Sequence, residues 1–183
     1  MQIDEQLEEL NMDCLQKAEL LAARLYTGPL YQKYNACLRG IEVKAMEGRW
    51  MELCMGNRYT TTLHVINSAV VKLGKLQPAM KVYRGVTGGV LPEIFWHANQ
   101  HNVRGGCEYG FLSTTTDRNV ATDYASGGGK AGIVFEIQMG MVDRGASLSW
   151  LSQVGLPPHP SPPTSPPRPP THLPRSPRTS PPS

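Results

Sequence analysis

The prolines divide this chain. Thirteen of the 16 lie between Pro157 and Pro182; the others are Pro29, Pro78 and Pro92. Proline lacks an amide hydrogen and fixes φ, so a stretch this dense enters neither a helix interior nor a central strand. Residues 154–183 are otherwise mostly serine, threonine and arginine. Such a segment has too little apolar surface to offset its ordering entropy, and disorder with polyproline II character is expected. Residues 1–153 read as one globular domain, with a helical part over about 1–78 and a strand-rich part over about 79–153.

Charge divides at the same place. The tail holds Arg168, Arg175 and Arg178 and no acid, which accounts for the whole formal charge of +3. The domain is balanced and shows no basic face with interleaved aromatics, so nucleic acid is discounted as a partner. Cys14, Cys37, Cys54 and Cys107 are far apart and have no C-x-x-C spacing, which argues against zinc and for reduced thiols. The start, Met1-Gln2-Ile3-Asp4-Glu5, has neither the basic nor the apolar region of a secretory signal. No apolar run has the length of a membrane span. A cytoplasmic protein is expected.

Ile3, Leu7, Leu10, Cys14, Ala18, Leu21 and Leu25 recur at helical spacing, which predicts one amphipathic helix over 2–26, stopped by Gly28-Pro29. A second helix is predicted over 31–46. A third, over 60–76, carries Leu63, Ile66, Val70 and Leu73 on one stripe. The texture then changes. Lys81 to Val86 reads as a strand and Pro92 as the start of a short helix. Gly110 to Thr116 reads as another strand, and Asp117 as the cap of a helix running to about Ala125. Gly127-Gly128-Gly129 reads as a loop. Ile133, Phe135, Ile137 and Met139 alternate along a further strand, and Ser147 to Leu151 offers a last one. Helices first and strands later predict an α+β domain.

Three features carry possible chemistry. In Val82-Tyr83-Arg84-Gly85, Arg84 reads as ending a strand before a glycine, where its guanidinium fork is placed to meet a phosphate; a surface charge is the plainer reading of such an arginine alone. Ser113-Thr114-Thr115-Thr116, after Gly110-Phe111-Leu112, lines up four hydroxyls, which suit either a pleated edge or hydrogen bonding to a sugar. The third feature is the block 132–153. Gly127-Gly128-Gly129-Lys130 lacks the spacing and the hydroxyl of a phosphate loop and reads as a turn. His64, His97 and His101 form no metal pattern, and Trp96 and Trp150 read as core or cleft-edge residues.

Together these motifs resemble the R-S-E class of NAD(P)(+)–protein-arginine ADP-ribosyltransferases. Arg84 and the aromatic-x-Ser-Thr-Thr stretch about thirty residues later have that class's order and spacing. Tyr26-Thr27-Gly28-Pro29-Leu30-Tyr31-Gln32-Lys33-Tyr34-Asn35, Leu38-Arg39-Gly40 and Thr61-Thr62-Leu63-His64-Val65-Ile66-Asn67-Ser68 are similar to its helical segment. The likeness spans about residues 20–153. It implies N-terminal helices packed on a split, mixed or antiparallel β core, incomplete at its C-terminal strands. It also implies transfer of ADP-ribose from NAD, or NADP, to a protein arginine with release of nicotinamide. Arg84 and Ser113 would be the catalytic pair, with Arg84, Gly85, Ser113, Thr114 and Thr115 holding the dinucleotide.

Glycosyl transfer of this kind passes through an oxocarbenium-like state, which needs a carboxylate nearby. The family's Glu-x-Glu would follow Gln153. Here the residues are Val154-Gly155-Leu156-Pro157, and no Asp or Glu follows Asp143. Glu108 and Glu136 read as surface charges, since catalytic geometry tolerates little displacement. The chain as it stands is therefore expected to lack transferase activity. The alternative is a non-catalytic NAD-binding module whose tail docks partners. Pro163-Thr164-Ser165-Pro166-Pro167-Arg168 matches an SH3-type P-x-x-P-x-R ligand, and Ser161, Ser165, Ser176 and Ser180 precede prolines. The abrupt break after a matching stretch favours a tail translated from non-coding sequence.

Overall fold

The computed structural model describes residues 3–127 and 131–153. The expectations for the tail and for Gly128 and Gly129 lie outside them. Six α-helices and one two-stranded antiparallel sheet make up the regular structure of the described residues, an α+β arrangement. Their order is α1 (Ile3–Glu9), α2 (Lys17–Tyr26), α3 (Tyr31–Glu42), α4 (Glu47–Cys54), α5 (Thr60–Gly74), β1 (Lys81–Thr87), α6 (Arg118–Ala125) and β2 (Gly132–Gln138). None of these helices is long and apolar enough to cross a membrane.

The predicted single N-terminal helix is two. Asn11 takes the left-handed conformation at φ 56°, a role asparagine fills readily after a helix end. The Leu7 carbonyl accepts from both Leu10 N–H and Met12 N–H there, closing α1. Glu19 restarts the helix by accepting the Gln16 N–H at 2.8 Å. The second predicted helix also divides: α3 ends at Glu42, a 3-10 turn spans Lys44–Met46, and α4 follows. Gly40 allows α3 and α4 to meet, since a Cβ there would lie 3.1 Å from Trp50 Cγ and 3.2 Å from the Met46 carbonyl oxygen. Helix α5 forms close to its predicted span, with Ile66 and Leu73 buried.

The helices bury two adjoining clusters. One is built on Ala22, Tyr26, Tyr34 and Ile66, with Phe111 and Leu148 packed against it. The other is built on Ala36, Cys37, Trp50 and Cys54. Burial pushes both thiols, Cys37 and Cys54, above the ordinary cysteine range. Glu19 is 4% exposed and fully engaged. It accepts from Ser68 Oγ at 2.5 Å and from Lys72 Nζ at 3.0 Å, tying α2 to α5.

In the sheet, Lys81 pairs with Gln138 and Thr87 with Gly132, which places Arg84 opposite Phe135. Helix α6 lies on one face and rests on two glycines. An added Cβ on Gly85 would lie 2.8 Å from Ala125 N and 2.9 Å from Ala121 C, and nearer still to the Ala121 carbonyl oxygen. One on Gly132 would lie 2.6 Å from Ala125 C. Ala121 and Ala125, one turn apart, are 1% and 4% exposed at this contact. Asp117 caps α6 as its position predicts, accepting the Asn119 N–H at 2.8 Å.

Two predicted strands do not form. Ser149–Leu151 is a 3-10 turn. Residues 110–116 make a single bridge, in which Tyr83 and Thr115 exchange both backbone hydrogen bonds. Elsewhere in that stretch the backbone is held by side chains: Phe111 by Asn35, Gly110 by Glu108 and Ser113 by Arg84.

Candidate functional site

Arg84 and Ser113 lie together. Alternation along β1 turns Gly85 toward α6 and Arg84 to the opposite face, beside Phe135. Arg84 Nη1 donates to the Ser113 carbonyl at 2.9 Å. The Ser113 hydroxyl lies 2.9 Å from Tyr26 Oη at the end of α2. A guanidinium from the middle of β1, where the sequence suggests a strand end, and an exposed hydroxyl 29 positions on thus share one edge of the molecule.

Helix α3 holds the approach to Ser113. Asn35, 5% exposed, uses both ends of its amide on one residue. Its Oδ1 accepts the Phe111 N–H at 2.8 Å and its Nδ2 donates to the Phe111 carbonyl at 3.3 Å. One turn on, Arg39 donates two 2.8 Å bonds to Glu108, whose Oε1 also accepts the Gly110 N–H at 2.7 Å. The Arg39 guanidinium is the first cause holding the Glu108 carboxyl below the usual range; the Gly110 N–H and the field of Arg84 add to it. The Phe111 ring packs edge-on against Tyr26, centroids 5.2 Å apart. Asn35 of α3 therefore does for the Phe111 backbone what a neighbouring strand would do, and Arg39 holds the Glu108 carboxylate that takes the Gly110 N–H.

The remaining site residues divide. The Cβ direction of Gly85 is taken by α6, a packing reason for glycine at that position. Thr114 is exposed. Thr115 Oγ1 accepts the Asp117 N–H at 3.1 Å, so this hydroxyl helps to start α6. Glu136 pairs with Lys81 at 2.6 Å, both half-exposed on the sheet face that carries α6, and Glu108 is committed to Arg39. Among the described residues, no three His, Cys, Asp or Glu side chains are grouped to hold a metal.

Tyr26, Asn35 and Arg39 carry site geometry that spacing alone did not assign. Asn35 and Arg39 stand four apart and share a face of α3, but their target lies more than sixty residues on. A groove beside them, about 460 Å³ and bordered by Tyr31, Asn35, Arg39, Met46 and Arg49, contains neither Arg84 nor Ser113. No protein-family model, curated protein or solved structure gives a significant match to this chain.

Proposed function

We propose that this chain is a dinucleotide-binding domain of the arginine-specific ADP-ribosyltransferase type, with Arg84 directed at the phosphates of NAD and Ser113 at its nicotinamide-side ribose. The observation that carries the reading is the Arg84–Ser113 contact. Two residues singled out by the motif order meet at 2.9 Å although they come from separate segments. A planar fork suits a pyrophosphate, and a side-chain hydroxyl suits a sugar.

Transfer to a protein arginine further requires a carboxylate near the ribose and a base for the acceptor. Glu108 and Glu136 are held by Arg39 and Lys81, and no acid follows Asp143. The reading for the chain as it stands is therefore NAD or NADP binding without efficient transfer. The proline-rich segment is proposed as the partner-docking part, with SH3-type domains as its class of reader.

Calorimetry on the full chain tests the binding. NAD should bind, and Arg84→Ala should weaken it at least tenfold, the worth of a charge-assisted contact. An unchanged affinity in Arg84→Ala would remove the site. Labelled NAD with an arginine acceptor should give only background transfer. Robust transfer would show that a carboxylate of this chain does the chemistry after all.

A further inference from the structure

We infer that Tyr26 is a positioning residue for the Ser113 hydroxyl, setting its hydrogen-bond polarity so that the serine proton points outward to a ligand oxygen. The inference rests on the NAD reading of this site and adds a residue to it from the helical half.

The argument is a proton count. A phenol has one hydrogen to donate. Tyr26 Oη has two candidate acceptors, Ser113 Oγ at 2.9 Å and the Phe111 carbonyl at 3.4 Å. The Phe111 carbonyl already receives Asn35 Nδ2 at 3.3 Å. Ser113 Oγ is nearer and, among the described residues, receives no second donor. We assign the phenol proton to Ser113 Oγ, the nearer of the two acceptors at 2.9 Å against 3.4 Å. With a lone pair of Ser113 occupied, its own proton is left for the exposed side, where a ribose oxygen or carboxylate would accept it. The reverse polarity would spend the serine proton on Tyr26 and present only lone pairs.

The site is built to hold that geometry. Tyr26 is 9% exposed, and its ring is fixed edge-on against Phe111. The Ser113 backbone is pinned by Arg84 on one side, and the Phe111 backbone by Asn35 on the other. Tyr26→Phe removes the phenol oxygen and leaves this ring contact in place.

A double-mutant cycle on the full chain tests the inference, read by calorimetric NAD affinity and by denaturant unfolding. Ser113→Ala is expected to weaken NAD binding about fivefold, the worth of one neutral hydrogen bond, and Tyr26→Phe about as much. The double variant should bind no worse than Ser113→Ala alone, because Tyr26 acts only through that hydroxyl. Tyr26→Phe binding like the wild type overturns the inference and leaves the NAD reading standing. So do additive losses, which would mean that Tyr26 acts independently of Ser113. Failure of the wild-type chain to bind NAD overturns both. A stability coupling between Tyr26 and Ser113 in that case reduces their contact to packing.

Discussion

Gly85→Ala is a one-methyl change with a large expected cost. The new Cβ would stand 2.9 Å from Ala121 C and 2.8 Å from Ala125 N. Carbon atoms in contact prefer about 3.5 Å or more, so α6 would have to withdraw by roughly 0.6 Å, and further at the Ala121 carbonyl oxygen. The helix cannot pivot away at one end, because Ala125 sits equally close over Gly132. Lifting it opens the seam that buries Ala121 and Ala125. Overpacking of this kind costs about 1–3 kcal/mol, and the upper part of that range is expected because backbone, not a flexible side chain, must move. Urea unfolding followed by circular dichroism would read the loss as a lower midpoint at unchanged slope. Gly48→Ala is the matched control. Gly48 lies in α4 with nothing within 4 Å of its Cβ position. The same substitution there should stabilise by about 0.5 kcal/mol through helix propensity. Equal midpoints for the two variants would refute the reading of α6 as a helix seated on glycine.

Four further outcomes are expected. Lys72→Met strands the buried Glu19 carboxylate and should cost about 3 kcal/mol, while adding Glu19→Gln should recover much of it; a loss that stays in the double variant would mean that the pair is not coupled. Burial alone would raise the Glu19 pKa, but Ser68, the Gln16 N–H and Lys72 outweigh it and the net shift is downward. The stability this represents is present above the ordinary carboxylate pKa and lost as pH falls through the lowered one, so Glu19→Gln should flatten the acid limb of an unfolding profile. Asn35→Ala should raise amide exchange at Phe111, whose N–H it accepts, without raising it at Tyr83; equal protection at Phe111 would deny the clamp. Asp117→Ala should destabilise by about 1 kcal/mol through loss of the α6 cap, measured by thermal unfolding.

What was legible in the sequence was what is periodic or locally capped. The stripe Leu63, Ile66, Val70 and Leu73 marked α5, the alternation from Ile133 marked β2, and Asp117 marked the start of α6. The break at Asn11 was not legible, because Leu10, Cys14 and Ala18 continue the helical spacing straight through it. Residues 110–116 have strand composition, and such composition pairs with whatever edge is available. Here a single rung reaches β1 at Tyr83, Asn35 takes the Phe111 backbone, Glu108 the Gly110 N–H and Arg84 the Ser113 carbonyl, while Tyr26 meets the Ser113 hydroxyl. No local pattern in 110–116 encodes partners that lie in the first forty residues. The Arg84–Ser113 pairing was legible only as motif order.

The Glu108–Ser113 clamp has a kinetic corollary. The ties between α2 and α5, Glu19–Ser68 and Glu19–Lys72, span 49 and 53 positions, whereas Asn35–Phe111 and Tyr26–Ser113 span 76 and 87. Closing a loop of that size carries roughly 4 kcal/mol in its logarithmic term alone. That cost is repaid only after α2 and α3 already present their side chains. The segment should therefore dock late during folding and be among the first to detach in native-state fluctuations. A dinucleotide bound across Arg84 and Ser113 would act on that step most directly, slowing departure of the segment far more than it slows unravelling of the helices beneath.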